Sequence, residues 1–147
     1  MFGPVRLTLQ EARALYFATR LMLRSADERD PDGISALEKV AEALPGGVAA
    51  HMQRTVKEYG QLPANSRYIE TLRRLTEAWA SNRTATITYR SANSANARTT
   101  DLDPYILDHT QSGTYVIGHS AEHREVRIFK LDRILDVDLT QREFAPQ

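Results

Sequence analysis

From Thr8 onward, Leu9, Ala12, Leu15, Tyr16, Thr19, Met22 and Leu23 fall at intervals of three and four, the spacing of one face of an α-helix. Thr8-Leu9-Gln10-Glu11 at the head of that run is a capping box, in which the Thr8 hydroxyl and the Glu11 carboxylate take up amides that a first turn leaves unpaired. Asp30-Pro31-Asp32-Gly33 breaks the pattern, and Ser35-Ala36-Leu37-Glu38 offers a second box ahead of Val40, Ala41 and Leu44. Pro45-Gly46-Gly47 ends that helix. A third apolar face is spaced through Val48, Met52, Val56 and Tyr59, and a fourth through Ile69, Leu72, Leu75 and Trp79. Four short amphipathic helices are predicted.

After Asn82 the period becomes two. Thr84, Thr86 and Thr88 alternate with Ala85, Ile87 and Tyr89, the pattern of a half-buried strand. Ser91 to Ala97 reads as a polar turn, Asp101 to Leu107 as a strand bent or placed at an edge by Pro104, and Gln111-Ser112-Gly113 as a tight connection. Thr114 to Gly118, Glu125 to Leu131 and Ile134 to Leu139 complete five short strands joined by brief loops, which favours a small barrel over a sandwich. The expected fold class is therefore α+β, with a helical segment over residues 1–82 and a five-stranded barrel over residues 83–147.

Composition narrows the function. The 147 residues allow one ordinary core or two small units. Nineteen basic and nineteen acidic side chains cancel, so no field of the whole protein draws in nucleic acid or an anionic membrane, and any such partner must be recognised locally. The absence of cysteine removes disulfides, thiolate metal sites and thiol catalysis. No apolar run approaches the roughly 20 residues needed to span a bilayer. A cytoplasmic protein without cofactor is the expectation.

His119-Ser120-Ala121-Glu122-His123 spells the H-x-x-E-H of inverted zinc peptidases. That chemistry needs both histidines on one face of a helix, whereas strand-like alternation on either side places these five residues in a hairpin loop. Glu122 and Glu125 lie beside arginines, the setting of solvated ion pairs more than of acid and base catalysis. No phosphate-cradling glycine loop and no nucleophile elbow occurs, so no enzyme activity is expected. What stands out is a basic cluster, Arg124, Arg127, Lys130 and Arg133, with His119, His123, Tyr115 and Phe129 nearby. Guanidinium forks bind phosphate and aromatic faces stack on bases, so the cluster suits an anionic, nucleotide-like ligand. Strand parity sets Arg124 and Lys130 opposite to Arg127, and Phe129 is expected in the core.

Gly113-Thr114-Tyr115-Val116-Ile117-Gly118, followed by Arg124 to Ile134 with the sequence REVRIFKLDRI, resembles the WYL domain of bacterial transcription regulators. Ile87-Thr88-Tyr89-Arg90 and Asp103-Pro104-Tyr105-Ile106-Leu107 are similar to that domain's first two strands, so the resemblance spans about Thr84 to Leu139. Leu7 to Ala12 and Ala36 to Val40 resemble the helical stretch that precedes the domain in such regulators. The resemblance implies an Sm-like, SH3-type barrel that senses single-stranded nucleic acid or a nucleotide-like ligand, commonly within a homodimer. Duplex DNA would then be read through a winged helix-turn-helix that is not among these residues, in a chain that is either a piece of a longer regulator or a stand-alone sensor. Carried over position by position, Tyr115 holds the centre of the family's triplet and Arg127 and Arg133 hold its arginines. The expected ligand contacts are Tyr115, His119, Arg124, Arg127, Lys130 and Arg133. Thr114 replaces the family's Trp and Val116 its Leu, which removes a large aromatic platform. The alternative from the residues themselves is a structural, protein-interaction barrel whose arginines are held by Glu122, Glu125 and Asp132.

Overall fold

The structure, a computed structural model, describes residues 2–26, 28–61 and 63–147. The chain divides into two compact units, one up to Ala64 and one from Asn65 onward. The first holds helices α1 (Leu9–Arg24), α2 (Pro31–Glu42) and α3 (Gly46–Gly60). Thr8 caps α1 as its sequence predicts: the Thr8 amide donates to Glu11 Oε1 at 2.9 Å and the Glu11 amide to Thr8 Oγ1 at 3.2 Å. The bond from the Thr8 backbone, and then that with its side chain, holds the Glu11 carboxyl below its ordinary range. Helix α2 starts a turn earlier than expected. Asp30 accepts from the amides of Asp32 and Gly33 at 3.1 Å, and Pro31 fits the first helical position, so Ser35 to Glu38 lie inside the helix and form no cap. Ala12, Tyr16 and Leu23 of α1 pack with Leu37 and Met52, whereas Leu9 and Leu15 stay exposed. The Val48 side chain, assigned to the apolar face of α3, lies outside the described residues.

The second unit combines α4 (Ser66–Ser81) with strands β1 (Arg83–Tyr89), β2 (Arg98–Thr110), β3 (Gly113–Ser120), β4 (Glu125–Lys130) and β5 (Ile134–Glu143). Its boundary therefore precedes the change of period by the whole of α4. That helix buries Tyr68, Thr71, Leu75 and Ala78 in the core of the sheet unit and leaves Trp79 exposed. The buried stripe is thus Tyr68, Thr71, Leu75 and Ala78, with Leu72 partly buried against the same core, Ile69 half-buried and Trp79 exposed, and small Ala78 lets the helix lie close. Arg74 fastens α4 further, donating to the Val137 carbonyl at 2.5 Å and to Glu70 at 2.7 Å. A fully buried leucine such as Leu75 stabilises the unit by about 1.5–3 kcal/mol.

The strands form one antiparallel ladder in the order β4-β3-β2-β1-β5. The expected barrel closure is not found: β4 and β5 are edges, and no pairing joins them among the described residues. The sheet nevertheless curls. Neighbouring strands lie about 4.8 Å apart, so flat strands β1 and β4, with β2 and β3 between them, would be separated by about 14 Å. The rings of Tyr89 on β1 and Phe129 on β4 have centroids 4.8 Å apart. Curling of this kind is assisted by register irregularities between Pro104 and Ile106 in β2 and at two points of the β1–β5 ladder.

Candidate functional site

Alternate residues of β1 face the core, so Ala85, Ile87 and finally Tyr89 are buried. The Tyr89 ring meets Phe129 edge-on at 70°, an arrangement favoured by the ring quadrupoles. Its hydroxyl donates to Glu122 Oε2 at 3.1 Å. Burial first, then that bond and the Glu122 charge, raise the hydroxyl above the ordinary tyrosine range, so it remains a donor at neutral pH. His123 stands beside Tyr89 with ring centroids 6.5 Å apart. His123 Nδ1 lies 2.8 Å from Ser120 Oγ, which is in turn 3.0 Å from Thr100 Oγ1. Tyr89, Phe129 and His123 make the aromatic side of a groove of about 460 Å³, within the usual size range of small-molecule sites.

The rest of the groove is basic. Arg90 follows β1, Arg98 opens β2, Arg127 and Lys130 come from β4, and Arg133 comes from the 3-10 turn Leu131–Arg133. The Arg90 amide donates to the Arg133 carbonyl at 3.0 Å, which keeps these two residues side by side. Five cationic side chains and no carboxylate line the groove. Three of the five are paired at its margin: Arg98 with Glu122 at 3.4 Å, Arg127 with Glu125 at 2.7 Å and Lys130 with Asp132 at 3.3 Å. Such half-exposed pairs contribute at most about 1 kcal/mol each. Neither Arg90 nor Arg133 forms an ion pair among the described residues.

Of the residues expected from the sequence, Tyr115, Arg127, Lys130 and Arg133 line this groove. Parity sets Arg127 and Lys130 on opposite faces of β4, and both reach the groove because β4 is an edge strand with the groove along it. His119 and Arg124 do not line it. His119 belongs to β3, opposite Asp103 and Val126. Arg124 closes the β3–β4 hairpin with φ 56, its amide donating to the Ser120 carbonyl at 2.8 Å, a left-handed conformation that costs an L-residue roughly 1–2 kcal/mol. Tyr89, Arg90, Arg98 and His123 were not among the expected contacts. Tyr89-Arg90 at a strand end before a polar turn was the available signal for the first two, and none marked Arg98.

The H-x-x-E-H stretch is split between two settings. His119 and Ser120 extend β3, so the loop is shorter than expected and begins at Ala121. Glu122 is engaged by Tyr89 and Arg98, and His123 by Ser120. Among the described residues no group of three His, Asp or Glu side chains is placed to hold a metal ion.

The family model for the WYL domain matches residues 70–139, which run from α4 into β5 and include the lining of the groove. The chain carries a WYL domain. Among solved structures, the proteasome accessory factor B/C (PafBC) of Arthrobacter aurescens is similar over 96% of this chain, at 19% identity and a TM-score of 0.50. The chain spans 21% of the length of that protein, and at this identity the likeness is one of fold. No curated protein matches the sequence. Within the matched residues, the Thr114 hydroxyl lies 2.9 Å from His109 Nδ1, and Tyr115 lies on the groove. No helix among the described residues is long and apolar enough to cross a membrane.

Proposed function

We propose that the WYL domain is the ligand-sensing part of a transcription regulator and that its groove binds a nucleotide-like anion or a short single-stranded nucleic acid. The observation that carries this reading is the groove itself: five cations, no lining carboxylate, and a wall that includes the buried rings of Tyr89 and Phe129 and the half-buried rings of His123 and Tyr115. Cations of this kind take phosphate and aromatic rings take bases. Association with the genome falls to a winged helix-turn-helix outside residues 1–147, and the helical unit serves dimerisation or relay in the cytoplasm. Neither unit needs catalytic chemistry for this role. To act as a sensor, the ligand must bind one arrangement of the regulator more tightly than another.

Fluorescence polarisation with short labelled single-stranded DNA and RNA, across a salt series, tests this. Single strands contribute a slope of about −0.7 per neutralised phosphate in log affinity against log salt. If only Arg90 and Arg133 are free to release counterions, a slope near −1.4 is expected. Binding that ignores salt, or no binding at low salt, contradicts the proposal.

A second reading, a protein-interaction surface, draws on the outer face of the sheet, which meets the groove at Ile128. Ile106, Ile117 and Ile128 are register partners across β2, β3 and β4, and Ile106, Ile128 and neighbouring Val126 are 49%, 64% and 54% exposed. Contiguous exposed apolar side chains of this kind mark contact surfaces.

A further inference from the structure

We infer that Glu122 occupies the place of a ligand phosphate on Arg98 and so limits how tightly the groove holds an anion, an inference that rests on the anion-binding reading above. Glu122 is the most firmly placed of the three marginal carboxylates. Its amide donates to Thr100 Oγ1 at 3.1 Å, which ties the hairpin loop to β2. Its Oε2 accepts from the buried Tyr89 hydroxyl at 3.1 Å, and its Oε1 lies 3.4 Å from Arg98 Nη1. The Glu122 side chain is 35% exposed, against 57% for Glu125 and 39% for Asp132, so solvent screens its charge least. A carboxylate held through both oxygens, on a backbone that is itself anchored to β2, acts twice on an incoming anion beside a cation-lined groove. It repels the anion's charge, and it holds the one guanidinium that opens β2.

Two consequences follow for binding. In the wild type Arg98 is already neutralised, so it releases no counterion when a phosphate arrives and adds nothing to the salt slope. In Glu122→Gln the amide oxygen still accepts from Tyr89, the geometry of the loop is kept, and Arg98 becomes a free cation. The ligand then gains one phosphate contact.

The experiment measures polarisation with the same labelled single-stranded DNA over a salt series for wild type, Glu122→Gln, Arg98→Ala and the double variant, each with an unchanged near-UV spectrum. Glu122→Gln is expected to bind about two- to fivefold more tightly at low salt, the worth of a half-exposed ion pair, with a slope steeper by about 0.7. Arg98→Ala should leave the wild-type slope unaltered and should return the steeper slope of Glu122→Gln to the wild-type value. Equal or weaker binding by Glu122→Gln, or a gain that survives in the double variant, overturns the inference while wild-type binding still upholds the groove. Binding by Glu122→Gln alone contradicts the reading of the wild-type groove as a ligand site and leaves Glu122 as the group that keeps the anion out. If no variant binds, both the inference and the reading beneath it fall.

Discussion

Gly118→Ala is expected to lower the unfolding free energy of the WYL domain by about 3 kcal/mol, in the upper range for overpacking. Gly118 sits in the middle of β3, paired with Pro104 on β2 and Arg127 on β4. A Cβ there would overlap the Asp103 carbonyl oxygen and stand 3.0 Å from Pro104 Cα. Both neighbours are backbone, so no rotamer change relieves the clash, and the strands must separate where β2 is already irregular between Pro104 and Ile106. The glycine thus permits the close approach that lets the sheet bend. Urea unfolding followed by far- and near-UV circular dichroism measures the loss. A change below about 1 kcal/mol would mean that β2 and β3 do not approach as closely as described.

The second large effect is on binding. Replacing both Arg90 and Arg133 by alanine should weaken single-stranded DNA at least thirtyfold at low salt, about 2 kcal/mol, because these are the two groove cations with no carboxylate to share. Both residues are exposed, so the double variant should keep its stability within about 0.5 kcal/mol. Its remaining salt slope should be close to flat, since Arg98, Arg127 and Lys130 are neutralised within the protein. Binding within threefold of wild type would place the anion elsewhere.

Periodicity made the order of elements legible, and packing decided what periodicity left open. The alternation from Thr84 to Tyr89 marks β1, and the Thr8 to Glu11 box marks the start of α1, because both depend on residues a few positions apart. The partner of α4 depends on distant residues, so a helical pattern grouped it with the helices before it while Leu75 and Ala78 pack into the sheet unit. The shift of its buried face to Tyr68 and Thr71 has the same origin. Four of the six expected contacts line the groove because they cluster on β3, β4 and the turn after it. Arg98 reaches it as the cross-strand partner of Tyr89, and the curl that brings β4 to them depends on Gly118, Pro104 and the register rather than on any pattern near Arg98. Arg124 drew notice for its charge, but its left-handed place in the hairpin was not visible in residue type. Glycine or asparagine is the usual signature of that conformation.

Whether the groove between β4 and the end of β1 is where this WYL domain holds its ligand can be read from ¹H–¹⁵N NMR of the full chain titrated with an unlabelled single-stranded DNA oligomer. Saturable shifts are expected in the backbone amides of Tyr89 to Ala92 and Arg127 to Arg133, and in the guanidinium Nε–H signals of Arg90 and Arg133. Shifts confined to the helical unit or to the outer face around Ile106 and Val126, or none at all, would place the ligand elsewhere or exclude it.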